Sequence, residues 1–405
     1  MSEALSKHDE VRLVLIAGEH SGDALGGKLI AALKARLQDR LQLSGVGGEA
    51  MAAEGFVSDF PIEDVAVMGP LSILRHLPRI VRRVYATVDR AIASNPHAVV
   101  IIDSPEFTHP IAKRIRKRRP DIPIIDYVSP SVWAWRPGRA AKMRSYVDHV
   151  LALLPFEPAA HARLGGPPCT YVGHALSERL AWFRDLDPAP LVAAALGLDP
   201  ARPVIVALPG SRASEVGRLM EPFGAALRLV MARGVEPQVL MPCVPHMRPL
   251  IAAGLKSWPL KPHLVEGDDD KFRAFKLAQA ALAASGTVTL ELALAGTPMV
   301  VAYRVDPVAA PFLRRLIKAP TVVLANLVLG ENAFPEFHQE TVTPENLANT
   351  LLPLLSDTDE RRRQEAALAR IPGLLRTEGG RAPSEAAADV VLDYALGKGR
   401  RGGPI

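Results

Sequence analysis

The sequence predicts an α/β protein made of two parallel sheets in series, each wound with helices on both faces. Three observations carry this expectation. Apolar runs of five to seven residues without alternation, such as VRLVLIA, AVVII and VIVAL, recur along the chain, and such runs mark strands buried on both faces. Most end in a short polar loop rich in Gly, Ser or Asp that passes into a helical pattern. The pattern then restarts after a proline-rich stretch, Asp185 to Pro203.

In chain order, Val11 to Ala17 is the first strand, followed by the loop Gly18 to Asp23 and a helix from about Ala24 to Leu37. Leu41 to Val46 is a second strand, and the G-V-G-G that closes it lacks the setting of a dinucleotide fingerprint. Pro78 to Ala93 reads as a helix. Ala98 to Ile102 is a strand ending in Asp103-Ser104-Pro105-Glu106, with a basic helix after it. Pro123 to Tyr127 leads into the loop Val128 to Arg136, and Val150 to Leu154 with Cys169 to Val172 complete the first half. The second half opens with Val204 to Leu208, the loop Pro209 to Arg212 and a helix from near Ser214. Val239 to Met241 and His263 to Val265 are short strands. An apolar run ending at Ala284 turns at Ser285-Gly286-Thr287 into a helix, Thr289 to Ala295. Gly296 is its C-cap and Pro298 lies just beyond. Met299 to Tyr303 is the next strand, and Thr343 to Leu396 is helical. The expected division is 1–184, a linker 185–203, 204–370, a C-terminal helical segment 371–396 and a disordered tail 397–405.

With 405 residues, the chain is long enough for two domains. Cys169 and Cys243 are the only cysteines, which argues for a reducing compartment and against disulfides or a zinc site. Met1 to Glu10 is polar, and no apolar stretch reaches the roughly 18 residues of a membrane span. The expectation is a cytosolic protein, or one resting on a membrane. The net charge of +5 is clustered at Arg75 to Arg90, Lys113 to Arg119 and Arg314 to Lys318. Such groups are solvated helix faces or contacts with an anionic partner. The absence of G-x-x-x-x-G-K-[ST], H-E-x-x-H and G-x-S-x-G removes the main support for P-loop kinase, zinc-hydrolase and α/β-hydrolase readings.

Ligands of open α/β sheets bind beyond the carboxyl ends of the strands. In the first half those ends deliver Glu19, Ser21, Asp23, Asp103, Glu106, Ser129, Trp133, Trp135 and Arg136. In the second they deliver Gly210, Ser211, Arg212, Ser285, Gly286, Thr287 and Glu291. Backbone N–H groups and hydroxyls at a helix start suit a phosphate, Arg212 suits a diphosphate, and Glu291 can accept from a pair of ribose hydroxyls. A carboxylate in a partly enclosed cleft can serve as a general base, a role open to either Glu106 or Asp103. The division suits a cleft with an anionic nucleotide on one side and an acceptor hydroxyl on the other.

The motifs I-A-G-E-H-S-G-D (16–23), Y-V-S-P-S-V-W-A-W-R (127–136), L-P-G-S-R (208–212), S-G-T-x-x-L-E (285–291) and G-T-P-M-V-V-x-Y (296–303) together resemble the lipid-A-disaccharide synthases. The resemblance implies a GT-B glycosyltransferase of family 19, with two Rossmann-like parallel-sheet domains facing across a cleft. It implies an inverting enzyme, without metal or cofactor, that joins UDP-2,3-diacylglucosamine to 2,3-diacylglucosamine 1-phosphate (lipid X) and releases UDP. It places the protein peripherally on the cytoplasmic face of the inner membrane, with an anionic lipid surface and no nucleic acid as partner. A C-terminal segment returns to the N-terminal half, and a homodimer with exchanged C-terminal parts is implied. The family's UDP-holding positions fall on Arg212 and Ser285 to Glu291, with Asn326 and Gln339 added from the following segment. Its candidate base falls on Glu106, where many members carry Asp, and Asp103 remains a rival. Val67 to Val84 and Pro311 to Leu324 mix apolar residues with arginines, the composition of a membrane-resting surface. The alternatives are another GT-B enzyme such as a UDP-sugar 2-epimerase, or a non-catalytic nucleotide-sugar or lipid-binding protein.

Overall fold

A computed structural model of the chain describes residues 10–66, 70–189, 197–306, 310, 316 and 319–399. The first sheet is built from β1 (Val11–Ala17), β2 (Leu41–Val46), β3 (Ala98–Ile102), β4 (Ile124–Tyr127), β5 (His149–Ala152) and β6 (Cys169–Tyr171). Interleaved with them are α1 (His20–Leu37), α2 (Glu49–Ala53), α3 (Pro70–Ala93), α4 (Pro105–Arg118), α5 (Gly138–Met143) and α6 (Glu157–Arg163), and α7 (Leu180–Asp185) follows β6. The second sheet holds β7 (Val204–Leu208), β8 (Gln238–Pro242), β9 (His263–Val265), β10 (Ala280–Ala284), β11 (Met299–Tyr303) and β12 (Glu336–His338). Its helices are α8 (Ala213–Ala232), α9 (Arg248–Gly254), α10 (Asp268–Leu277), α11 (Val288–Ala295), α12 (Leu324–Leu329), α13 (Pro344–Leu351) and α14 (Asp359–Leu374). The helix α15 (Pro383–Ala395) ends the ordered sequence of elements.

Each sheet has six strands, in the orders β2-β1-β3-β4-β5-β6 and β12-β11-β10-β7-β8-β9. Every pairing is parallel. Parallel pairing requires crossover helices on both faces, and the fully buried runs Ala98–Ile102, Val204–Leu208 and Ala280–Ala284 reflect that double coverage. In β1, Leu13, Leu15 and Ala17 join one core, whereas Val14 and Ile16 join the core on the opposite face. The strand order reverses direction once in each sheet, between β1 and β3 and between β7 and β10.

The chain forms two compact units, one running to Ser177 and resuming at Arg376, the other spanning Glu178–Leu375. The boundary therefore precedes the expected 184. The helix α7 belongs with the second unit, where Phe183 meets Phe272 edge-to-face at 4.7 Å between centroids. The return to the first unit begins after α14, at Arg376 rather than 371. Ala387, Ala388 and Val391 of α15 lie in the same core as Leu29 and Leu33 of α1, and Arg36 Nε donates to Asp389 at 2.9 Å. Of the expected tail, Lys398 and Gly399 still donate to the carbonyl of Asp393; residues 400–405 lie outside the described residues.

Two helices start earlier than expected. α1 begins at His20, so Ser21 to Asp23 belong to its first turn instead of a loop. Gly22 makes this possible: a Cβ there would stand 2.8 Å from the carbonyl oxygen of Ile102, so only glycine lets helix and strand approach this closely. α3 begins at Pro70 and carries Pro78 in its interior. Proline's φ fits a helix, but in its interior it loses a hydrogen bond and its ring crowds the carbonyl four residues earlier; α3 runs through Pro78 all the same, so Pro78 does not mark the start. Residues 67–69, and residues 311–315, 317 and 318 of the stretch Pro311 to Leu324, which include the basic Arg314, Arg315 and Lys318, lie outside the described residues. No helix among the described residues is long and apolar enough to cross a membrane.

Two buried carboxylates hold the loops of the first unit. Asp23, 3% exposed, is not a ligand-facing group: it accepts from the backbone N–H groups of Gly48, Ala50 and Met51 at 2.7, 2.8 and 3.1 Å, capping α2. Glu157, 4% exposed, accepts from Trp133 Nε1 at 3.1 Å and from the Leu154 N–H at 3.0 Å, anchoring the loop after β4. Burial pushes its pKa from 4.5 up to about 7 against those donors.

Asp23→Ala leaves three donors at the start of α2 without an acceptor, and is expected to destabilise the first unit by roughly 2–4 kcal/mol in denaturant titration, with Asp23→Asn less damaging. Glu157 in the folded chain holds a proton that the unfolded chain has already released between pH 4.5 and about 7. Its contribution to stability is thus complete below pH 4.5 and is lost as pH rises through 7. Glu157→Gln is expected to flatten the pH dependence of stability over that window by roughly 1–3 kcal/mol.

Candidate active site

The strand reversal in the second unit opens a cavity of about 560 Å³ at the ends of β7 and β10. Gly210, Ser211, Arg212, Ser285, Gly286, Thr287 and Glu291 all line it, as the sequence reading expects. Ser285 Oγ donates to the Val322 carbonyl at 2.8 Å, which ties the turn to the chain beyond it. Thr287 is exposed at the N-terminus of α11; the Thr289 and Leu290 N–H groups already donate to the Gly286 and Thr287 carbonyls at 3.1 and 2.9 Å, which leaves those of Thr287 and Val288 at the helix start. Together with the helix dipole they favour an anion.

Arg212 presents a guanidinium that is 74% exposed, its Nη1 donating to Glu215 Oε1 at 3.0 Å. A pair of Arg212 with Glu215 at the helix start is the alternative that the sequence offers to a diphosphate contact, and the structure forms it. Glu215 Oε2 accepts from the N–H groups of Ser211 and Arg212 at 3.1 and 3.3 Å, so those amides are already engaged. Gly210, at φ 120°, is required beside it, because a Cβ would run into the Glu215 side chain. The donors left for a diphosphate are the remaining N–H groups of Arg212 and the start of α11.

The far wall is made by Pro242, Cys243, Val244, Pro245, Val265, Gly267, Asp268 and Lys271. These end or follow β8 and β9, at the strand ends where ligands of open α/β sheets bind. Glu291 is paired with Lys271 at 3.2 Å through Oε1.

Asn326 and Gln339 do not line this cavity. Asn326, 1% exposed, donates to the Phe334 carbonyl and accepts from the Phe334 N–H, both at 2.9 Å. Gln339 Oε1 accepts from the Val305 N–H at 2.7 Å. Both amides are engaged in shaping backbone.

In the first unit, Asp103 and Ser104 leave β3 with φ of 53° and 45°, a left-handed pair that non-glycine residues rarely adopt. This turn brings Asp103 Oδ2 2.8 Å from Ser21 Oγ, which donates to it, and Oδ1 2.8 Å from the Ser104 N–H. Glu19 is half-buried near it; burial, and then the charge of Asp103, raise its pKa. Glu106, in the first turn of α4, is 82% exposed with Arg139 Nη1 at 3.7 Å. Trp135 is 36% exposed with the Arg136 guanidinium 4.3 Å above its ring. Ser129 differs from expectation. It is 6% exposed, and its Oγ lies 2.8 Å from His161 Nε2 and donates to the Pro130 carbonyl at 3.0 Å.

The sequence profile of the lipid-A-disaccharide synthetase family matches residues 13–390. The lipid-A-disaccharide synthase of Nitrobacter hamburgensis is 51% identical over 393 residues, covering 97% of this chain and 98% of its own. That of Rhodospirillum centenum is 42% identical over 381 residues, 94% of each. Among solved structures, the UDP-GlcNAc 2-epimerase of Neisseria meningitidis bound to UDP-GlcNAc superposes with a TM-score of 0.61 at 13% identity, covering 96% of this chain and 100% of that one. MurG of Acinetobacter baumannii gives 0.59 at 14% identity, covering 95% and 99%. These distant likenesses show the GT-B-type fold alone. The sequence matches go further: this chain belongs to the lipid-A-disaccharide synthase family.

Proposed function

We propose that the chain transfers the glucosaminyl group of UDP-2,3-diacylglucosamine to the 6-hydroxyl of 2,3-diacylglucosamine 1-phosphate, with inversion, giving the β-1,6-linked disaccharide 1-phosphate and UDP. The observation that carries the reading is the 560 Å³ cavity of the second unit. It collects an exposed guanidinium, a helix N-terminus and a carboxylate, each suited to one part of a nucleoside diphosphate. The names of the relatives favour transfer over epimerisation.

As the acceptor oxygen bonds to the anomeric carbon, the bond from that carbon to UDP breaks and its electron pair goes to the β-phosphate oxygen. Arg212 and the start of α11 stabilise the charge that develops there. The acceptor proton goes to a carboxylate of the first unit, and Glu106 fits that task better than Asp103. Asp103 is held by Ser21 and Ser104, whereas among the described residues Glu106 has only Arg139, at 3.7 Å, and is 82% exposed. Asp103 and Ser21 then shape the turn on which Glu106 sits.

A peripheral position on an anionic membrane is part of the same reading. Leu77, Val81 and Tyr85 are 45%, 44% and 52% exposed and fall four residues apart on α3, one stripe of a helix. Arg79 beside them is 52% exposed, and Arg114 lies 4.8 Å above the Tyr85 ring. A stripe of this kind suits the headgroup boundary. A homodimer with exchanged C-terminal segments, proposed on the family resemblance, would place a partner's segment where α15 packs here on its own first unit.

Arg212→Ala is expected to lower kcat by about 10²–10³ with the fold intact by circular dichroism. Glu106→Gln is expected to lower kcat by about 10²–10⁴ while UDP affinity holds; undiminished turnover would move the base to Asp103. Replacing Leu77, Val81 and Tyr85 by Ser is expected to reduce cosedimentation with phosphatidylglycerol vesicles at least severalfold.

A further inference from the structure

Lys271 lies in the first turns of α10, at the end of β9, and lines the nucleotide cavity. Its Nζ is 3.2 Å from Glu291 Oε1 on α11 and 3.2 Å from Asp268 Oδ1 on its own helix, with the Phe272 ring 4.3 Å beneath it. The two ion pairs are not equivalent. Asp268 is 74% exposed, so solvent screens that pair. Lys271 and Glu291 are 23% and 18% exposed, so their pair sits in the cavity wall where attraction is stronger. The three aspartates at the start of α10 have separate cations: Asp269 meets Arg179 at 3.6 Å and Asp270 meets Arg273 at 2.7 Å.

We infer that Lys271 is a positioning residue for ribose recognition: it pins one oxygen of Glu291 and leaves the other to accept from the 2′- and 3′-hydroxyls of the nucleotide. The inference rests on the reading of Glu291 as the ribose acceptor. Two physical effects combine. A glutamate side chain has three rotatable bonds, and a fixed ammonium confines it to one arrangement. A diphosphate entering a cavity lined by Glu215, Asp268 and Glu291 would also meet uncompensated negative charge. Arg212 offsets Glu215 and Lys271 offsets Glu291.

Isothermal titration of the full chain with UDP and with 2′-deoxy-UDP tests this, because the ratio of the two affinities reports the ribose contact. Loss of general stability does not mimic it, and measurable 2′-deoxy-UDP binding shows that a variant is folded. Wild type is expected to prefer UDP by about tenfold or more, the size of a hydrogen bond to a charged acceptor. Glu291→Gln is expected to bring the preference below about threefold, and Lys271→Met to do the same with 2′-deoxy-UDP affinity changed less than the UDP affinity. Lys271→Arg is expected to restore most of the preference. A Lys271→Met variant that keeps the wild-type ratio, while Glu291→Gln loses it, overturns the inference and leaves the ribose reading standing. A wild type without preference overturns both.

Discussion

Parallel strands put all their carboxyl ends, and the loops that follow, along one edge of a sheet. At the place where strand order reverses, neighbouring crossovers leave toward opposite faces and the loops part, opening a crevice that no side chain has to carve. Both units depend on this constraint. In the first the reversal lies between β1 and β3, where Glu19, Ser21 and Asp103 converge. In the second it lies between β7 and β10, where Arg212 and the turn before α11 border one cavity. The chemistry is therefore distributed by topology before any particular residue is chosen.

What the residues add is charge control. The second cavity places a carboxylate beside a cation twice, Glu215 with Arg212 and Glu291 with Lys271. Each pair keeps part of its hydrogen-bonding capacity for a ligand. Without such pairing, a cavity lined by two glutamates would repel any anion that entered it. The first unit works in the opposite sense: Asp103 beside half-buried Glu19 concentrates negative charge, and burial makes Glu19 hold its proton more tightly.

The strands and the loops after them were legible because a fully buried parallel strand has a composition, an apolar run with an abrupt polar end, that little else imitates. The ends of β3, β7 and β10 fall where the apolar runs AVVII, VIVAL and AALAA stop. Polar side chains were less legible, since composition does not say which of two nearby partners a side chain takes. Asp23 turns to cap α2, Ser129 pairs with His161, and Asn326 and Gln339 bind backbone instead of bordering the cavity. Glu215 is legible as a partner for Arg212 at the helix start, whereas Lys271 reads as an ordinary charge near one. Pro78 misled for a related reason, as proline at a helix start and proline tolerated inside one look alike locally.

The first unit is discontinuous, closed by α15 only after the whole second unit has been traversed. On the ribosome, the earlier sheet emerges long before the helix that covers Leu29 and Leu33 is translated. The inserted unit, contiguous in the chain, can complete its core first, so the order of maturation runs against the order of synthesis. Until α15 emerges, the nascent chain carries an uncovered apolar face on α1, a surface open to misassembly and chaperone capture.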